Sequence, residues 1–485
     1  MAETKKGNIL SVFFRPVDMT EGTPWKKIMI FAIPMLIGNI AQQLYNTVDS
    51  IVVGNYIGDN ALAAVGSAGP IMNMLFVLLI GISTGASIVV SQYVGARQRE
   101  NLSHSIGSAI TLTIIASLII MIGGPFIARP ILELLRTPPT IINWCESYLR
   151  IIFIGCAGMM FYNILSGILR GLGDSVFPLL FLVIATGINI VLDIVFVRAL
   201  GAERGVDGVA YATIIAQITS GTLCFIRLSR MTKFFDLKLK YLKFAGRLTT
   251  DILRLGLPSG FTQMIFSLAM VLVQSLINSF GETFIACNVI IMRIDGFAMM
   301  PNFSFGAAMT TYAGQNVGAG DRERVYKGTR QGAFIAVAVS TVLTGLVLIF
   351  GHFLMNLFTD TEDLIELSVH NIRILAAGYI AMGLTQALQG TMRGAGDTIT
   401  PMWISLITTV AIRVPIAYAW KWLTMTEELP TGSSDAIFFS LLISWLIGAL
   451  LTLVFYWKGK WRKRLDGNAS PRKGPGAPEE AAENA

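Results

Sequence analysis

Polar and apolar positions alternate along this chain on the scale of whole segments. Long apolar stretches occupy 28–53, 62–90, 105–128, 142–168, 176–197 and 207–228, then 251–278, 285–312, 328–355, 367–390, 399–423 and 436–457, with polar turns between them. About 20 apolar residues, rising about 1.5 Å each, cross the roughly 30 Å of hydrocarbon in a bilayer. Each stretch meets that length, and the pattern predicts twelve transmembrane helices. Two of them carry a polar stripe. Gln42, Tyr45, Asn46 and Asp49 fall at i, i+3, i+4 and i+7 in the first span, and Thr186, Asn189 and Asp193 share one face of the fifth.

The polar turns repeat. LRGLGDSVFPLL at 169–180 returns as MRGAGDTITPMW at 392–403, with Arg170/Arg393, Gly171/Gly394, Gly173/Gly396, Asp174/Asp397 and Pro178/Pro401 identical at one offset of 223 (from 170 to 393). SQYVGARQREN at 91–101 pairs with GQNVGAGDRER at 314–324 at the same offset, matching Gln92/Gln315, Val94/Val317, Gly95/Gly318, Ala96/Ala319, Arg99/Arg322 and Glu100/Glu323. Arg150/Arg373 and Gly155/Gly378 follow. The chain therefore reads as two copies of a six-helix unit, an N-lobe at 28–228 and a C-lobe at 251–457. Because six is even, both copies enter from one side and are related by an axis along the membrane normal, a geometry suited to a transporter whose halves rock around a site between them. In the turns the glycines permit a short reversal and the prolines sit near helix starts. A phosphate-cradling loop is the rival reading, but no Gly-Lys-Ser/Thr follows.

Composition agrees with a bilayer protein: 53% of the 485 residues are hydrophobic and 14% charged, and mean hydropathy is +0.63. Soluble domains are charged at about 25% of positions. Lys and Arg then set the orientation, since cytoplasmic loops are enriched in them. Lys5, Lys6, Arg15, Lys26, Lys27, Arg97, Arg99, Arg170, Arg322, Arg324, Lys327, Arg330 and Arg393 fall on one side, with Arg129, Arg136, Arg198 and Arg204 on the other. A cytoplasmic (inner) membrane protein with both termini cytoplasmic is expected, and the basic segment 1–27 shows no cleavable leader. The linker at 229–250 is basic and broken by aromatics; in this setting it predicts an interfacial helix drawn to anionic membrane lipids, not a nucleic-acid contact. The tail at 458–485 is expected to be disordered.

Cys145, Cys156, Cys224 and Cys287 lack metal or disulfide spacing and read as apolar fillers. His104, His352 and His370 lie near span ends and read as interfacial. The 21 Met and 28 Phe read mainly as packing and lipid-facing residues, compatible with an adaptable cavity. No nucleophile with its base and no metal-ligand cluster is present, so an enzyme is not expected, nor a cofactor.

Repeats set a scaffold, so chemistry is expected where one copy departs from the other. At the 223 offset Asn189 and Asp193 land on Ile412 and Ile416, and Asp49 lands on Leu272. The carboxylates belong to the first half alone. Asp49 and Asp193 both lie toward the outer ends of their spans, where burial and mutual repulsion favour a shared proton. The alternative is that they only hydrogen-bond across helices or cap an outer helix end. In the second half Arg293, Asp295 and Arg413 lie near mid-membrane by residue count. Charges there are expected to pair, and Asp295 with Arg413 is the pairing expected, either structural or substrate-contacting.

The two six-helix halves, PMLIGNIAQQLYNTVDSIVVG at 34–54, ALAAVG at 61–66, the paired VGA loops and the paired RG-x-GD loops resemble the multidrug and toxic compound extrusion (MATE) family over nearly all of residues 25–457. The resemblance implies a secondary antiporter that expels organic, often cationic, compounds by alternating access in exchange for protons or sodium ions. It implies an amino-terminal-lobe ion site at Asp49, Asn189 and Asp193, which would hold a proton or, alternatively, sodium. Tyr45 matches an aromatic neighbour of that site, Gln42 and Asn46 share its stripe, and Thr213 is a looser candidate. NorM-like sodium-coupled members add a Glu on helix seven and an Asp on helix ten. Here those helices offer Gln263, Gln274, Gln386 and Gln389 instead, a pattern closer to the DinF-like branch. A flippase of lipid-linked precursors is the rival within the superfamily, and a non-transporting receptor or scaffold the rival outside it. Small organic substrates, lipid contacts and a monomer are expected.

Overall fold

The computed structural model describes residues 15–56, 59–135, 137–243, 246–427, 430–459, 461, 462 and 465; the side chains at 44–56, 59–63, 67, 70, 73–76, 78, 202 and 203 are outside that description. The architecture is all-α, with α1 Pro24–Tyr56, α2 Asp59–Gly95, α3 Arg99–Leu134, α4 in two pieces (Ile142–Ile154 and Cys156–Gly171), α5 Val176–Gly201 and α6 Arg204–Ser229 forming the N-lobe. The C-lobe follows with α7 Gly246–Asn278, α8 Glu282–Gly318, α9 Arg322–Ile349, α10 Glu362–Gly394, α11 Ile399–Leu423 and α12 Ala436–Lys458. Among the described residues nine helices are long and apolar enough to span a bilayer, or ten if α4 counts as one; α1 and α2 complete the twelve. The helices overrun the apolar stretches because hydrogen bonding continues beyond the hydrocarbon until a polar turn ends it.

Local departures follow from local sequence. The two pieces of α4 bend by 53° where Gly155 lies between them. Gly201, at φ 71°, breaks the run between α5 and α6. The ninth span, expected to reach 355, stops at Ile349, and a short helix Gly351–Asn356 follows. Ile407–Ile412 of α11 form a π turn.

Two expectations need correction. The linker forms no interfacial helix: among its described residues it holds one 3-10 turn, Leu239–Tyr241, laid against α3. The reason is protein packing. Phe235 and Tyr241 are buried, Tyr241 meets His104 edge-on at 4.7 Å, and Arg99 holds Asp236 at 2.9 Å. That hydrogen bond keeps the Asp236 carboxyl below its usual range. At the other end, Trp461 and Leu465 fall in the stretch expected to be disordered, yet both are buried in the C-lobe core beside Tyr456.

Each lobe has its own apolar core, and the cores exchange helix starts. Ile28 and Phe31 of α1 pack among Phe305, Met309 and Tyr312 of the C-lobe, and Ile252 of α7 packs among N-lobe residues. All four cysteines are buried and free.

Candidate functional site

The repeated turns meet at the basic end of the molecule. Gly173 and Gly396 take φ of +90° and +87°, a conformation that favours glycine. The Phe177 N–H donates to Asp174 Oδ1 at 3.2 Å and the Thr400 N–H to Asp397 Oδ1 at 3.1 Å, so each aspartate satisfies the start of the next helix. Arg227 also grips Asp174 at 2.9 Å, opposing the upward push of burial on that carboxyl.

The same motifs join the lobes. Gln92 Nε2 donates to the Gly394 carbonyl at 2.9 Å, and Gln315 Nε2 donates to the Gly171 carbonyl at 3.1 Å. These residues are two repeat pairs, so the bonds are pseudo-twofold mates. Gly95 and Gly318 end α2 and α8, where a Cβ would stand 1.8 Å from the Gln315 carbonyl oxygen and 1.9 Å from the Gln92 carbonyl oxygen respectively. Only glycine permits that approach. Residues 15–23 bridge the seam: the Val17 N–H donates to the Gly173 carbonyl at 2.8 Å, and the Met19 N–H to Gln315 Oε1 at 2.9 Å. The Met19 carbonyl accepts from Asn316 at 3.1 Å and from Arg324 Nη2 at 3.0 Å. Further from this end, Asn39 of α1 donates to Ser304 Oγ of α8 at 2.9 Å.

In the N-lobe, Asn189 and Asp193 of α5 are wholly buried. With the Asn189 amide oxygen turned to the Thr213 N–H at 3.3 Å, its nitrogen lies 3.2 Å from Asp193 Oδ2. Asn189, Asp193 and Thr213 thus form one cluster between α5 and α6. Thr186 stands apart, its hydroxyl bonded to the Leu182 carbonyl at 2.9 Å. Gln42 is exposed on α1. Tyr45, Asn46 and Asp49 belong to α1 by sequence, but their side chains lie outside the described residues.

The C-lobe holds a partly open cavity of about 300 Å³ lined by residues that include Gln263, Phe266, Met270, Gln274, Met292, Asp295, Thr409, Arg413 and Trp445. Asp295 and Arg413 face this cavity together without forming a direct ion pair: Asp295 Oδ1 and Arg413 Nε are buried with no hydrogen-bond partner. Arg293 is exposed and does not line it. Two residues apart on a helix is about 200°, so Arg293 and Asp295 take nearly opposite faces. Gln386 and Gln389 serve the C-lobe interior, accepting from Arg393 and donating to Thr452 at 3.4 Å each. His352 and His370 face Glu362 at 3.0 Å and Asp435 at 3.4 Å at exposed positions.

The sequence reading assigned no role to Tyr379, which stands beside Asp295, or to the interlobe part of Gln92 and Gln315. The glutamines did carry a signal, being identical at the repeat offset. The part of Thr213 is played by its backbone N–H, which no side-chain pattern displays.

Comparison with known proteins agrees with this geometry. The MatE family model matches twice, at residues 34–195 and 258–419, one match in each lobe. The probable multidrug resistance protein YoeA of Bacillus subtilis (strain 168) is 28% identical over 445 residues, covering 91% of this chain and 95% of the relative. The probable multidrug resistance protein NorM of Thermotoga maritima is 25% identical over 442 residues, covering 90% of this chain and 93% of the relative. Among solved structures, a crystal structure of MATE in complex with MaL6 superposes with a TM-score of 0.82 at 26% identity, covering 93% of this chain and 98% of that one. With two matched halves, a pseudo-twofold seam and a buried polar cluster in one lobe, the chain belongs to the MATE family of membrane transporters.

Proposed function

We propose that the chain is a secondary active multidrug efflux antiporter of the cytoplasmic membrane, exporting organic, often cationic, compounds in exchange for protons. Asp49, Asn189 and Asp193 couple the ion, with both termini cytoplasmic. The observation that carries this reading is the wholly buried Asp193–Asn189 cluster on α5, whose repeat mates in the C-lobe are Ile416 and Ile412. A scaffold has no need of an ionisable group in one half of a duplicated membrane protein, where burying it is costly. The names of the relatives, probable multidrug resistance proteins, support efflux of drug-like solutes.

Deprotonated, the Asp193 site is negative and suits a cation. Protonated from the outer face, it favours release outward and return of the empty carrier. Such coupling requires that proton and substrate bias the two states of the carrier differently. The amide arrangement favours a proton over sodium, because Asn189 donates N–H to the carboxylate while its oxygen is engaged by Thr213. A hard cation needs a shell of oxygen donors. With the basic end taken as cytoplasmic, the Gln92–Gly394 and Gln315–Gly171 bonds hold a state closed to the cytoplasm. The Asp295 carboxylate beside Arg413 supports solute efflux over a flippase, which needs a basic cavity for a pyrophosphate head group.

The test is uptake of a fluorescent organic cation into inside-out vesicles under an imposed proton gradient or an imposed sodium gradient. Uptake driven by protons alone is expected. Uptake that requires sodium and ignores protons would contradict the proton assignment, and no uptake under either would count against antiport.

A further inference from the structure

The C-lobe cavity has walls of two kinds. Phe266 and Met270 of α7, Met292 of α8 and Trp445 of α12 make an apolar part, and Asp295 of α8 and Arg413 of α11 make a charged part. Arg413 directly follows the π turn of α11, and π turns recur at functional sites. Asp295 has Arg413 and the Tyr379 hydroxyl as its electrostatic neighbours. Yet Asp295 Oδ1 and Arg413 Nε are each buried without a hydrogen-bond partner. A purely structural ion pair lowers its energy by closing to contact and satisfying its remaining polar atoms. Here both residues line the cavity and no ion pair joins them.

We infer that this cavity binds compact aromatic zwitterions, the ammonium group at Asp295, the carboxylate at Arg413 and the ring on the Met and aromatic wall. The charge arithmetic decides the class. A monocation between these residues is attracted by Asp295 and repelled by Arg413, and the two terms nearly cancel; a monoanion meets the mirror image. A ligand carrying both signs gains from each residue, through charge-assisted bonds stronger than neutral ones. At about 300 Å³ the cavity sits at the small end of ligand pockets, which favours a compact ligand. The site is separate from the Asp193 cluster, which lies in the other lobe and presents a carboxylate.

The inference takes from the transport reading only that the chain handles organic solutes, and it is tested without any gradient, so either reading can fail alone. The purified full chain in lipid nanodiscs is titrated with three fluorescent probes on one scaffold: a coumarin-bearing amino acid, its methyl ester and its N-acetyl derivative. These are a zwitterion, a cation and an anion. The zwitterion should bind about tenfold more tightly than either partner probe. Arg413→Gln should bring it level with the ester, and Asp295→Asn level with the N-acetyl form. Should either variant fail to fold, Gln263→Trp leaves both charges in place, narrows the cavity, and should cost the zwitterion at least about tenfold in affinity. Equal binding of all three probes to the native chain, tighter binding of the ester, a zwitterion preference that survives Arg413→Gln, or a zwitterion affinity unchanged by Gln263→Trp would overturn the assignment.

Discussion

Asp193 lies 17 positions into α5, which begins at Val176, about 25 Å along the helix at about 1.5 Å per residue. At that depth, with no exposure, its charge depends on the few groups that reach it. Asp193→Asn keeps the shape and the capacity to hydrogen-bond but can take up no coupling proton. Gradient-driven efflux should fall at least about tenfold, and thermal unfolding should move little, because the substitution removes a buried ionisable group. Unchanged efflux in folded Asp193→Asn protein would remove the residue from the coupling site. Asn189 and Asp193 were legible in the sequence, since a helical polar stripe and its absence from the other repeat are both visible there. Arg293 and Asp295 were grouped by depth alone, although the helical rotation of about 200° between residues two apart already sets them on nearly opposite faces. The cavity that joins Asp295 to Arg413 was invisible for another reason. It depends on how α7, α8, α11 and α12 converge, and the π turn that immediately precedes Arg413 leaves no mark in the apolar pattern.

At the scale of elements the account turns on the crossing of α2 and α8. Gly95→Ala places a Cβ 1.8 Å from the Gln315 carbonyl oxygen, whereas Gly345→Ala on α9 meets nothing within 4 Å. The first should cost about 1–3 kcal/mol or more, and the second should be neutral or stabilising by up to about 1 kcal/mol. Thermal unfolding followed by tryptophan fluorescence separates them, and equal effects would contradict the described crossing. The paired glutamine bonds act on the balance of states instead. Each net hydrogen bond is worth about 1 kcal/mol, so Gln92→Ala with Gln315→Ala should shift the equilibrium away from the closed basic end by up to about 2 kcal/mol, roughly 30-fold. Spin labels at Glu100 and Glu323, both exposed at that end, should then report a longer distance component. An unchanged distance distribution would show that the bonds do not hold the seam. The repeat offset exposed the paired glutamines and glycines of this seam, because identity at one spacing survives whatever the fold does. The strap at 15–23 and the docked linker escaped notice, since both are held by contacts far away in sequence.

Across the whole molecule, the arrangement is two six-helix lobes joined at the basic end, with a buried carboxylate site in one and a mixed-charge cavity in the other. The proposed orientation rests on the Lys/Arg asymmetry and is testable directly, because the four native cysteines are buried and will not compete for reagent. In intact cells an impermeant maleimide should modify Asp360→Cys, in the exposed turn before α10, and spare Ser470→Cys in the tail. The reverse pattern would invert the topology. The central claim is that proton movement and solute movement are one process, and by linkage a solute gradient must then drive protons. The most direct measurement uses proteoliposomes containing a trapped pH dye, an imposed gradient of a fluorescent organic cation and no initial pH difference. The account predicts proton flow opposite to the cation, absent with Asp193→Asn; cation flux with no accompanying pH change would contradict it.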